Sequence, residues 1–123
     1  MPIHWIVESR RKLVTVVAEG DVGKADVEAY LAMIDGANLS EWRKLFDARK
    51  GRPVLTQQDV NDLGARIRAA AVAREVGPFA FVKPEMETPE LLRLLGFFAA
   101  AKRPMRVFQT IGPAQKWIAT VPC

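Results

Sequence analysis

Trp42-Arg43-Lys44-Leu45-Phe46-Asp47-Ala48 (residues 42–48) is an apolar stretch with one carboxylate near its end. A basic Gly/Pro segment follows, Arg49-Lys50-Gly51-Arg52-Pro53, and Thr56 then opens a helical pattern. That succession reads as the central strand of an α/β sheet, then a loop, then a crossover helix. In open α/β sheets, ligands and partners meet the chain just beyond the carboxyl ends of such strands. The loop and the start of the helix are therefore the first place to look for a site.

Upstream, Ile3–Glu8 and Lys12–Glu19 read as two strands joined by the polar break Ser9-Arg10-Arg11, a β-hairpin pattern. The run Leu13-Val14-Thr15-Val16-Val17-Ala18 is apolar at both parities. That predicts a strand covered on both faces. Gly20-Asp21-Val22-Gly23 reads as a turn. A helix over Lys24–Asp35 places Val27, Tyr30, Leu31 and Ile34 on one face, and Gly36 and Asn38 suit its end.

Downstream, Thr56 is a good cap for a helix over Gln57–Arg74, with Asp59 three residues on to reach back to it. Val60, Leu63, Ile67 and Ala71 form its apolar stripe. The alanine-rich part from Ala69 to Ala73 is expected to lie close to the sheet. Gly77-Pro78 breaks the chain before a strand over Phe79–Lys83. Thr88-Pro89-Glu90 combines a hydroxyl cap, proline at the first position and an acid in the first turn, opening a third helix to about Lys102. Met105–Gln109 reads as a fifth strand and Pro113–Thr120 as a last helix. The order β-β-α-β-α-β-α-β-α predicts a single-domain α/β fold over residues 1–123, its mixed sheet mostly parallel and flanked by helices.

The 123 residues are half hydrophobic, enough for one packed core. No apolar run is long enough to span a bilayer, and the N-terminus lacks the pattern of a secretory signal. The lone cysteine, Cys123, closes no internal disulfide, in keeping with a cytoplasmic setting. The net charge of +4 favours contact with anions, but 14 acidic residues are interspersed among 18 basic ones. No basic arm stands out, which weighs against nucleic acid as a partner.

The element order resembles the STAS-like fold of sulfate transporters and anti-sigma factor antagonists, and in particular its small stand-alone bacterial members. The resemblance is carried by Gly20 before a helix, by Lys44-Leu45-Phe46-Asp47 in the third strand, and by Arg106-Val107-Phe108 leading to Ala114-Gln115-Lys116-Trp117-Ile118. It implies a mixed sheet with helices packed on it and a non-catalytic regulatory or binding role. A related lipid-transfer fold brings in apolar ligands. The phosphorylatable serine of classical anti-sigma factor antagonists has no counterpart between Asp47 and Thr56, where Thr56 is the sole hydroxyl. The serine switch is therefore not carried over.

Two candidate surfaces emerge. The first is the segment before the second helix: Arg49, Lys50 and Arg52 beside a helix N-terminus favour an anion or an acidic partner, with Asp47 as a bracing acceptor and Thr56 at the cap. A solvated loop is the plain alternative. The second is the third helix, where Leu91, Leu92, Leu94, Leu95, Phe97 and Phe98 spread over an arc of roughly 220°. Only Arg93, Gly96 and Ala100 leave a narrow non-bulky side. An arc that wide predicts exposed apolar side chains at Leu91, Leu94, Leu95, Phe97 and Phe98, joined by Trp117 of the last helix. They would mark a protein partner or homodimer contact, an apolar ligand or a membrane surface. Cover by the same chain is the competing expectation.

His4 is the lone histidine and reads as a partly exposed strand residue. No metal, nucleophile or phosphate-loop motif occurs, so no catalytic residue, metal or cofactor is assigned. The expectation is a non-enzymatic protein-binding module, with a carrier of a small apolar or lipid-like ligand as the alternative.

Overall fold

The computed structural model describes residues 2–122. The chain forms β1 (Ile3–Glu8), β2 (Leu13–Val22), α1 (Lys24–Gly36), β3 (Arg43–Pro53), α2 (Gln57–Ala73), β4 (Phe79–Val82), α3 (Pro89–Ala99), β5 (Met105–Phe108) and α4 (Ile111–Thr120). The five strands lie in one sheet in the order β1-β2-β3-β4-β5. β1 and β2 pair antiparallel, whereas β2–β3, β3–β4 and β4–β5 pair parallel. The predicted single-domain mixed sheet and its central strand are both present.

The strand order explains the layering. Each of the three parallel connections steps to the next strand in the same direction. Right-handed crossovers then put their helices on one and the same face. Accordingly α1, α2 and α3 pack a large cluster against Val14, Val16, Ala18, Phe79 and Phe81. Alone on the opposite face, α4 buries Ala114 and Ile118 against Leu13, Leu45, Ala80 and Val82. The apolar run of β2 is thus covered on the three-helix face, whereas on the other face Leu13 is buried and Thr15 and Val17 are only half-buried.

The helix ends follow their local chemistry. The Thr56 Oγ1 accepts from Asp59 N at 3.0 Å and the Asp59 carboxylate accepts from Thr56 N at 2.9 Å, a reciprocal cap. Thr88 Oγ1 accepts from Leu91 N at 3.1 Å, with Pro89 in the first turn. Past the end of α1, Asn38 adopts φ 60°, the left-handed conformation that asparagine tolerates.

Several boundaries differ from expectation. Gly20 to Val22 is strand, not turn, and Gly51 to Pro53 is strand, not loop. The two segments pair in register, Gly20 with Gly51, Asp21 with Arg52 and Val22 with Pro53, past an irregularity between Val17 and Glu19. Glycine and proline read locally as breakers, but here the backbone of the neighbouring strand supplies the partners. Gly20 takes φ +78°, which a strand reaches at little cost only with glycine. The third helix stops at Ala99 rather than about Lys102. Nor does the alanine-rich end of α2 lie on the sheet, since Ala69, Ala70, Val72 and Ala73 are exposed.

Candidate functional site

The strand pairing reorganises the first candidate surface. Asp47 is buried, and its carboxylate accepts from Arg49 N at 3.2 Å, Nε at 2.9 Å and an NH2 group at 2.8 Å. The Arg49 guanidinium holds this carboxyl below the usual carboxylate range. Arg52 is paired across the ladder with Asp21, its Nε donating at 2.5 Å. Two of the three expected anion-binding cations are therefore neutralised within the chain, and exposed Lys50 stands on the strand, not in a loop beside the helix end. Thr56 is exposed, but its hydroxyl oxygen is occupied as the cap. Asp47, Arg49, Lys50, Arg52 and Thr56 thus make a braced ladder end.

The second surface is also corrected. Leu91, Leu94, Leu95 and Phe98 are buried by the chain itself, Phe98 stacking on Phe79 at 4.9 Å between centroids. The wide arc of α3 finds two covers at once, the sheet below and α2 at its side. Phe97 is half-buried in that side contact, and Leu92, at 53% exposure, is the large apolar α3 side chain left to solvent. Trp117 packs on Phe108 at 6.0 Å, on the α4 side of the sheet. It cannot share a patch or pocket with Phe97 and Phe98, because the sheet lies between them.

What the packing leaves is a trough of about 640 Å³ between α2 and α3. Its floor is Ala71, Val72, Gly96, Phe97, Ala100 and Ala101, and its charged lining is Arg68, Arg93 and Lys102, with no acid. α2 and α3 approach closely at Gly64. A Cβ there would lie 2.5 Å from the Phe97 ring. The Arg68 guanidinium, one turn on from Gly64, lies over the Phe97 ring, 5.4 Å from its centroid. Arg93 donates to Asn61 Oδ1 at 3.0 Å, which holds it on the rim. Farther along, small side chains leave the groove open, and Val72 is 84% exposed. The narrow strip Arg93, Gly96 and Ala100 was visible in the sequence of α3. Its pairing with Arg68, Ala71 and Val72 was not, because those residues belong to another helix.

A second concavity of about 450 Å³ lies past the ends of β4 and β5, beside Arg49 of β3, and is lined by Arg49, Lys83, Pro84, Glu85, Glu87 and Gln109. Its cations are already engaged, Arg49 by Asp47 and Lys83 by Glu87 at 2.6 Å. Between the sheet and the three helices is an apolar void of only about 50 Å³, bordered by Tyr30, Phe46, Phe81 and Leu95 among others. Among the described residues, no three His, Cys, Asp or Glu side chains are grouped so as to hold a metal ion. No helix of these residues is long and apolar enough to cross a membrane.

The architecture superposes on that of an uncharacterized protein of the DUF3478 family from Shewanella loihica PV-4, described as having a SpoIIAA-like fold. The TM-score is 0.59 over 94% of this chain and 93% of that one, at 18% identity. This fold is SpoIIAA-like. The STAS-like resemblance read from Lys44-Leu45-Phe46-Asp47 and the C-terminal strand and helix therefore holds for the fold. No protein-family model matches the sequence, and no curated protein matches it. The SpoIIAA-like scaffold fixes where the trough lies, on the outer side of the second and third helices.

Proposed function

We propose that this protein is a non-enzymatic binding module that acts by association, and that the α2–α3 trough receives an acidic amphipathic helix of a protein partner. The trough itself carries the reading: an apolar, mostly small-residue floor under Arg68, Arg93 and Lys102. A helix laid in such a groove buries apolar anchors on the floor and sets carboxylates against the rim. Alanine and glycine on the floor admit close approach of a backbone. The exposed Val72 supplies apolar area that gains from cover.

The alternative, a carrier of a small apolar or lipid-like ligand, draws less support. Ligand cavities are usually about 300 Å³ or more. The internal void, at about 50 Å³, would have to grow several-fold by parting the helices from the sheet.

A photo-crosslinking residue placed at Val72 tests the reading in cells. The expected outcome is a protein adduct mapping to an acidic helical segment, weakened about tenfold or more in Arg68→Glu/Arg93→Glu. The same crosslinker at Val54, exposed elsewhere, should give no such adduct. Lipid adducts at Val72, or identical adducts at both positions, would overturn it.

A further inference from the structure

The two edges of the sheet are built differently. β5 is four residues long, preceded by Pro104 and carrying Arg106, so it is short and charged as edge strands usually are. β1 is six residues long and has no proline, lysine or arginine. Its middle exposes Trp5 at 37%, Ile6 at 62% and Val7 at 44%. An unpaired apolar edge of that kind is a template for another strand.

The backbone phase of β1 follows from one bond. Glu19 N donates to Pro2 O at 2.7 Å while Ile3 faces Ala18. Antiparallel pairs alternate between bonded and non-bonded. Even-numbered β1 residues therefore exchange hydrogen bonds with β2, and Ile3, Trp5 and Val7 turn their N–H and C=O groups outward. Ile3 belongs to the cluster beneath α1, α2 and α3, so Trp5 and Val7 share its face. His4, Ile6 and Glu8 lie on the other.

We propose that β1 pairs antiparallel with β1 of a second copy about a two-fold axis through Ile6, continuing the sheet across the dimer. In that register Trp5 and Val7 each exchange two hydrogen bonds with Val7 and Trp5 of the second copy. Ile6 meets its own symmetry mate. His4 stands opposite the second copy's Glu8 in a non-bonded pair, where side chains are closest. The strand is thus complementary to itself in backbone hydrogen bonding and in apolar contact, with an imidazole set beside a carboxylate at each end, as an isologous interface requires. Centring the axis on Trp5 instead would place His4 against Ile6 and leave Glu8 facing Pro2, losing the pairing of polar side chains. Glu8 is held at present by Arg11 at 3.0 Å, with side chains 38% and 53% exposed, a surface pair that yields readily.

The interface lies apart from the α2–α3 trough, so Val72 crosslinking and self-association succeed or fail separately. Sedimentation velocity on the full chain should show a dimer that Ile6→Lys converts to monomer, with an unchanged thermal melt at dilutions where both proteins are monomeric, because the Ile6 side chain is exposed in the single chain. His4→Glu should weaken association about tenfold, and His4→Glu/Glu8→His should restore it. In an Ile6→Cys/Cys123→Ser background, oxidation should link the two copies, since facing residues of a non-bonded pair lie about 4.5 Å apart at Cα, within disulfide reach. A wild-type monomer at the highest soluble concentration, a dimer indifferent to Ile6→Lys, or failure of the cysteine link would overturn the proposal.

Discussion

Asp47 illustrates how one side chain can be legible in kind yet misplaced in role. Its position near the end of an apolar strand marked it as an acceptor for nearby N–H groups, and it accepts from Arg49. What it does is tie down the cation that was to bind an outside anion. Because its folded pKa lies below the ordinary value near 3.9, its contribution to stability is present above that pH. It is lost as pH falls toward the folded value. Asp47→Asn should therefore cost about 1.5 kcal/mol at neutral pH in urea unfolding, and the gap from wild type should close below about pH 4. Gly77 shows the opposite case, a residue whose constraint is invisible locally. A Cβ there would sit 2.3 Å from the carbonyl oxygens of Glu41 and Trp42, which are backbone and cannot swing aside. Gly77→Ala should destabilise by about 2 kcal/mol or more in the same assay. In sequence it looks like any Gly-Pro break.

At the scale of elements, caps and periodicity located every helix, because those signals are carried by residues three or four apart. The ends of β2 and β3 escaped, since Gly51 and Pro53 are strand only by virtue of partners some thirty residues away. α3 teaches a related lesson. Its apolar arc was measured correctly from the sequence, but a helix in the corner between a sheet and another helix can bury more than a single-sided one. Thermal or urea unfolding should separate the two sides of α3. Phe98→Ala should cost about 3–5 kcal/mol, whereas Leu92→Ala, on the exposed side, should fall within about 0.5 kcal/mol of wild type.

For the whole molecule, the asymmetry between faces is the dominant fact. Three helices cover one side of the sheet while α4 alone shields the other, packing on β3, β4 and β5. The middle strands β3 and β4 are therefore the best-protected part. Native-state hydrogen exchange should find their amides slowest. In the Ile6→Lys variant, Trp5 and Val7 amides should exchange fast beside slower His4 and Ile6 amides. Uniform protection along β1 would contradict the backbone phase assigned to that edge.

The residue pattern by itself determined the elements, their order and a mixed, mostly parallel sheet flanked by helices. Hydrophobic period, caps and crossover handedness act over short stretches or as general rules of chain geometry. Tertiary structure alone decided which cations remain available and which apolar side chains stay wet. Arg49 and Arg52 are spent on Asp47 and Asp21, while Arg68, Arg93 and Lys102 converge on one trough. That outcome depends on which distant elements become neighbours, and charge pairing and burial are properties of neighbours in space.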